Sequence, residues 1–194
     1  YPSFKYEVKA VESQEDLVVA SNLNKARGTD VSLAFNHALI QLNFSAGLTT
    51  GFTYAITNIS ISGVNNSGTF TYSNSIGDWT AQDGTASYAY AGDFNGTITD
   101  NVLKLSTGSN ALMLMPQTVP AGAEISITYT ATANSTNQVT FNGTKKVAIG
   151  GVEWKKGSNI CYKLILPTGA EAITYSTVVN PWGEEDSQDK TTQP

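Results

Sequence analysis

The segment AEISITYTATA, residues 123–133, sets Ile125, Ile127 and Tyr129 in one row and Ser126, Thr128 and Thr130 in the other. Two residues is the repeat of a pleated strand, so this alternation predicts a strand with one buried face and one wet face. The pattern recurs outward from there. FKYEVK (4–9) sets Phe4, Tyr6 and Val8 against Lys5, Glu7 and Lys9, while NICYKLIL (159–166) and AITYSTVV (172–179) run up to Pro167 and Pro181. In NALMLMPQTVP (110–120), Leu112 and Leu114 alternate with Met113 and Met115, which predicts a central strand, apolar on both faces and ended by Pro116. No segment sustains a helical period, and apolar runs broken by Gly, Asn and Pro predict an all-β sandwich.

Two strands change parity along their length. In FTYAITNISISG (52–63) the apolar row Phe52, Tyr54, Ile56 gives way to Ile59 and Ile61, with Asn58 near the change. In VSLAFNHALIQLNF (31–44) Val31, Leu33 and Phe35 are followed by Ile40, Leu42 and Phe44. A one-residue slip moves every side chain to the other face, so the second case predicts a bulge or short break between Asn36 and Gln41. Two hairpins are also expected. One turns at Asn142-Gly143 within QVTFNGTKKVAI (138–149), since Asn-Gly suits a type I′ turn, and the other lies within GVNNSGTFTY (63–72).

Eleven basic and sixteen acidic residues give a net charge of -5, and no basic patch stands out. Nucleic acid and anionic lipid surfaces are therefore poor partners. The single Cys161 excludes an intrachain disulfide, and its place in NICYKLIL reads as a small residue on a strand. No apolar run reaches the ~20 residues of a membrane-spanning helix. GEEDSQDKTTQP (183–194) has four acids and no apolar residue, the composition of a disordered acidic tail.

Chemistry has few carriers in this chain. His37 is the only histidine and sits in a strand among apolar neighbours, without a GxSxG elbow anywhere, so it reads as structural rather than catalytic. Its expected role is to bond backbone groups that the parity change leaves unpaired. One His and one Cys make a catalytic zinc site improbable, and neither a cofactor nor a metal is expected. Asp83-Gly84-Thr85 reverses the order of an aspartic-protease signature. Asp93, Asn95 and Asp100 could supply oxygens to a weakly held Ca²⁺, but the ligand series is shorter than an EF-hand loop and reads better as a polar turn. Asn-x-Ser/Thr sequons at Asn43, Asn58, Asn65, Asn95, Asn134 and Asn142 are explained by a composition rich in these residues. Trp79, Tyr88, Tyr90 and Phe94 lie in an irregular stretch and admit two readings, filling the core or forming a platform that stacks on sugar rings.

Taken in order, QEDLVVAS (14–21), VSLAFNHALIQLNF, LMLMPQTV (112–119) with ISITYTAT (125–132), and VEWKKGSNICYKLIL (152–166) ending in VVNPW (178–182) resemble the carboxy-terminal half of the fimbrillin-like proteins of Bacteroidales. These are the subunits and accessory components of type V pili. The resemblance implies a transthyretin-like antiparallel β-sandwich of Greek-key type over residues 27–182. Residues 1–26 would then be the strand and linker leaving an amino-terminal domain that lies ahead of Tyr1. It further implies a lipoprotein at the outer membrane, part of an extracellular fimbrium, whose partners are other fimbrial subunits and a surface glycan or protein. Assembly in that family is thought to use donor-strand exchange, in which backbone ladders give affinity and side-chain pockets give specificity. The expected assembly strand carries Ile173, Tyr175, Thr177 and Val179, since same-face positions near a terminus can be exchanged at small topological cost. The reading is thus a non-enzymatic fimbrial subunit or tip component acting in assembly and adhesion, with a carbohydrate-binding module built on Trp79, Tyr88, Tyr90 and Phe94 as the alternative.

Overall fold

The computed structural model describes residues 1–22, 28, 30–73, 76–92, 94–105 and 110–182. Strands are numbered β1 to β17 in chain order. The first sheet is centred on β4 (Ile40–Gly47), which runs parallel to β16 (Ser158–Ile165), itself paired with β17 (Thr174–Pro181). On its other side β4 meets β10 (Val102–Lys104), which continues to β9 (Ile98–Thr99), and β11 (Leu112–Leu114). The second sheet has the order β14 (Gln138–Ala148), β13 (Glu124–Ala133), β5 (Phe52–Val64), β8 (Ala86–Ala89). A smaller sheet joins β1 (Ser3–Glu7), β6 (Ser67–Thr71) and β7 (Asp78–Asp83). Two short ribbons pair β2 (Val18–Val19) with β3 (Asn36–His37), and β12 (Gln117–Thr118) with β15 (Glu153–Trp154).

The two large sheets face each other as a sandwich, and the alternation of their strands fills the space between them. Leu42, Phe44, Ala46, Ile160, Tyr162 and Leu164 enter one cluster from the first sheet; Ile59, Ile61, Ile125, Ile127, Tyr129 and Ala131 enter it from the second. Burying a large aliphatic or aromatic side chain contributes about 1.5–3 kcal/mol, which makes this shared layer the main source of stability. The ladder β4 to β16 is the one parallel pairing among the described strands, so the sheet is antiparallel elsewhere. Residues 3–7, expected to belong to a departing strand, pair with β6, and Val8 joins the main core.

Both parity changes have structural counterparts. In β5 the register against β13 slips between Ile56 and Asn58, leaving Thr57 as the extra residue. A second slip, not foreseen, falls at Gly63 against β8 and brings Val64 into the core behind Ile59 and Ile61. Gly63 has φ +77, and a Cβ there would sit 3.0 Å from Ala123 Cα and 3.1 Å from the Gly122 oxygen. Gly63→Ala is expected to cost about 2 kcal/mol or somewhat more, combining left-handed strain with a backbone contact that must give. A chemical denaturation midpoint equal to the parent's would show that the bulge tolerates a side chain.

Three local expectations are corrected. Asn142-Gly143 does not turn. β14 runs straight through it, and the β13 to β14 hairpin closes at residues 134–137 instead. Gly143 pairs with Tyr129 at φ +156, and the neighbouring Phe141 ring contacts Tyr129 at 4.6 Å between centroids. β5 and β6 do not form a hairpin either, because residues 65–66 carry the chain from the second sheet to the small one, where β6 pairs with β1 and β7. Finally, Val31, Leu33 and Phe35 lie outside any ladder and are 54%, 49% and 67% exposed. Among the described residues, Asn36 and His37 are the ones that pair there, with the two residues of β2.

Candidate functional site

An edge strand leaves one row of backbone N–H and C=O groups without a ladder, which makes it the natural place for another chain to join. Among the described strands β17 is such an edge, eight residues long and paired with β16 alone. Tyr175, Thr177 and Val179 pair with Leu164, Tyr162 and Ile160 and therefore share the face that points toward the core. The structure thus places three of the four expected assembly residues in one row. Ile173 precedes the strand and is buried at 4% exposure, acting as its anchor. Toward the other end burial falls away. Tyr175 and Thr177 are half-buried, the Tyr175 ring lying 5.2 Å from Tyr162, and Val179 is 56% exposed despite pointing inward. The opposite sheet ends nearby with its own edge strand, β14, whose Lys145 ammonium donates to the Glu171 carbonyl just ahead of β17.

The far end of β17 meets the lone histidine. His37 Nδ1 lies 2.8 Å from Asp16 Oδ2, and its ring stacks on Trp182 with 4.2 Å between centroids and 4° between planes. The expected break between Asn36 and Gln41 is present, since the chain leaves β3 after His37 and enters β4 at Ile40. The role expected for the imidazole is corrected. The backbone at the break finds other partners: Ala38 N–H donates to the Leu17 carbonyl, Gly157 N–H to that of Leu39, and Trp79 Nε1 to that of Ala38, at 2.8, 2.9 and 2.7 Å. With those groups satisfied, the ring, whose side chain is 33% exposed, pairs with a carboxylate and an indole instead. Asp16 and Trp182 were not singled out from the sequence, because nothing local links positions so far apart.

The four aromatic residues do not assemble into an exposed platform. Tyr88 and Tyr90 are 5% and 2% exposed, and their hydroxyls donate to the carbonyls of Val8 and Leu105. Tyr90 also packs edge-on against Phe44 at 4.9 Å. Phe94 packs half-buried against the main core. Trp79 packs with Phe4, Tyr6 and Phe70 of the small sheet and also touches the main core. Tyr88 and Tyr90 thus fill the core, while Trp79 and Phe94 are half-buried against it. Asp93 of the oxygen-ligand trio lies outside the described residues, as does the acidic tail, and Asp100 takes a left-handed turn conformation, φ 51. Cys161 sits on the outward row of β16, half-buried, with Sγ 3.7 Å from Ser45 Oγ.

Two facing sheets, with β17 and β14 at their edges among the described strands, define an all-β sandwich. The model of the fimbrillin-like family matches residues 2–182, and the chain belongs to that family. Among solved structures it is similar to a fimbrial protein of Bacteroides vulgatus, with 20% identity and a TM-score of 0.69 over 93% of this chain and 68% of that one. A candidate cell adhesion protein of Bacteroides uniformis matches at 19% identity and a TM-score of 0.55, over 93% of this chain and 66% of that one. Another, of Bacteroides ovatus, matches at 16% identity and a TM-score of 0.57, over 95% and 62%. At these identities the likeness establishes the fold, and the chain spans about two thirds of the length of each solved protein. No functionally curated protein matches the chain.

Proposed function

We propose that this protein is a non-enzymatic component of a cell-surface fimbrium, acting in assembly and adhesion, and that other subunits join it by strand addition at β17. The observation that carries the reading is the family match over residues 2–182 together with an eight-residue edge strand whose inward row is incompletely covered. Backbone pairing along β17 would supply affinity, and the half-open row Tyr175, Thr177, Val179 would select the side chains of the added strand. In this reading the sandwich is the carboxy-terminal domain of an outer-membrane lipoprotein. Its partners are fimbrial subunits and a protein or glycan on a neighbouring surface.

The reading is tested by co-assembly with the fimbrial subunits of the parent cell, followed by size-exclusion chromatography and electron microscopy. Thr177→Lys with Val179→Lys places two cations in the proposed acceptor row at half-exposed and exposed positions. Incorporation is expected to fall by about tenfold or more, since an unpaired desolvated charge at an interface costs several kcal/mol. Circular dichroism should remain that of the parent. A folded double variant that incorporates as well as the parent would remove β17 from assembly.

A further inference from the structure

We infer that Trp182, His37 and Asp16 form a catch that holds the carboxy-terminal end of β17 and sets how readily that strand opens. Three segments meet at this point: the stretch leading into β2, the end of β3 and the residue after β17. The contact is specific in its geometry. A separation of 4.2 Å with planes 4° apart is face-to-face packing of imidazole on indole, and the carboxylate 2.8 Å from Nδ1 fixes the ring in that orientation.

The position explains why a catch matters there. At its start β17 is anchored by buried Ile173, whereas at its end the inward side chain is Val179, left 56% exposed. The last rung pairs Pro181 with Ser158, and proline has no N–H to donate to the ladder. Apolar burial and backbone pairing both weaken toward this end. Trp182 supplies what is missing, donating its N–H to the Gly157 carbonyl at 2.9 Å and laying its indole on His37. Gly157 in turn donates to the Leu39 carbonyl at 2.9 Å and takes φ +73, so one glycine ties the end of β17 to the start of β4. Removing the stack should therefore fray β17 from Pro181 backward and leave the two-sheet core closed. The consequence for assembly, that the catch regulates access to a strand used in joining subunits, rests on the proposed function; the catch itself does not.

Hydrogen exchange followed by mass spectrometry on the full chain tests this without any partner. Trp182→Ala and His37→Ala are expected to speed exchange of the amides of residues 175–180 by about tenfold, with those of β13 changing less than about twofold, because local opening is separable from global unfolding. His37→Phe, which keeps a stacking ring without the carboxylate pair, should recover most of the protection. Unchanged exchange in Trp182→Ala would overturn the catch. So would an equal loss across β13 and β17, since Trp182 would then act through overall stability. Confirmed fraying in a Trp182→Ala protein that joins subunits no faster than the parent would uphold the catch and count against β17 as the joining strand.

Discussion

Raising the pH above 10 is expected to unfold the sandwich in one cooperative step, with loss of strand circular dichroism tracking tyrosinate absorbance. Tyr88, Tyr90, Tyr129 and Tyr162 are between 0% and 5% exposed. Burial is the leading cause that raises each of their hydroxyls above the ordinary tyrosine value of 10.0, Tyr88 to about 12. The charged form is disfavoured because the apolar layer cannot solvate a phenolate. Folded pKa values above the unfolded one mean that the native state holds protons the unfolded chain releases. The stabilisation is thus complete below pH 10 and lost as pH climbs through 10 toward 12 and beyond. Each tyrosine held neutral subtracts about 1.4 kcal/mol per pH unit in that window, so four together approach the ~5–15 kcal/mol of a typical domain within two units. Tyrosine titration with a midpoint near 10 in a fully folded protein would show that these hydroxyls reach water.

Trp154→Ala is expected to be the most damaging single substitution in the core, costing about 3–5 kcal/mol. Trp154 is 2% exposed, and its Nε1 donates to the Tyr162 hydroxyl at 3.1 Å. Truncation would open a large cavity and leave that hydroxyl, on a residue 0% exposed, without its donor. For a chain of this size the melting temperature should drop on the order of 10 °C. Trp154→Phe separates the two contributions, since it keeps most of the volume and loses only the N–H. A Trp154→Ala protein within about 1 kcal/mol of the parent in urea titration would mean that the site collapses around the missing ring.

Much of the sandwich could be read from alternation. The strands around Ile125 to Tyr129, Ile59 to Ile61 and Ile160 to Leu164 follow the period of two, and the slip at Thr57 and the break after His37 were legible as changes of parity. Turn chemistry was less reliable. Asn142-Gly143 has the composition of a hairpin turn, yet it lies in mid-strand, where the ladder with β13 overrides the local preference. Val31 to Phe35 alternates like a strand but forms no ladder with the described residues.

By itself the sequence determined the class of fold, the rows of side chains that form the core and, through its ordered phrases, the fimbrillin-like resemblance, because hydrophobic period and residue order are local properties. Only the tertiary structure decided which strands are neighbours and which edges stay open. It alone placed β16 parallel to β4, sent Tyr88 and Tyr90 inward, and brought Asp16 and Trp182 to His37. Those outcomes depend on pairing between segments distant in sequence, where shape and unsatisfied hydrogen bonds, not local periodicity, select the partner.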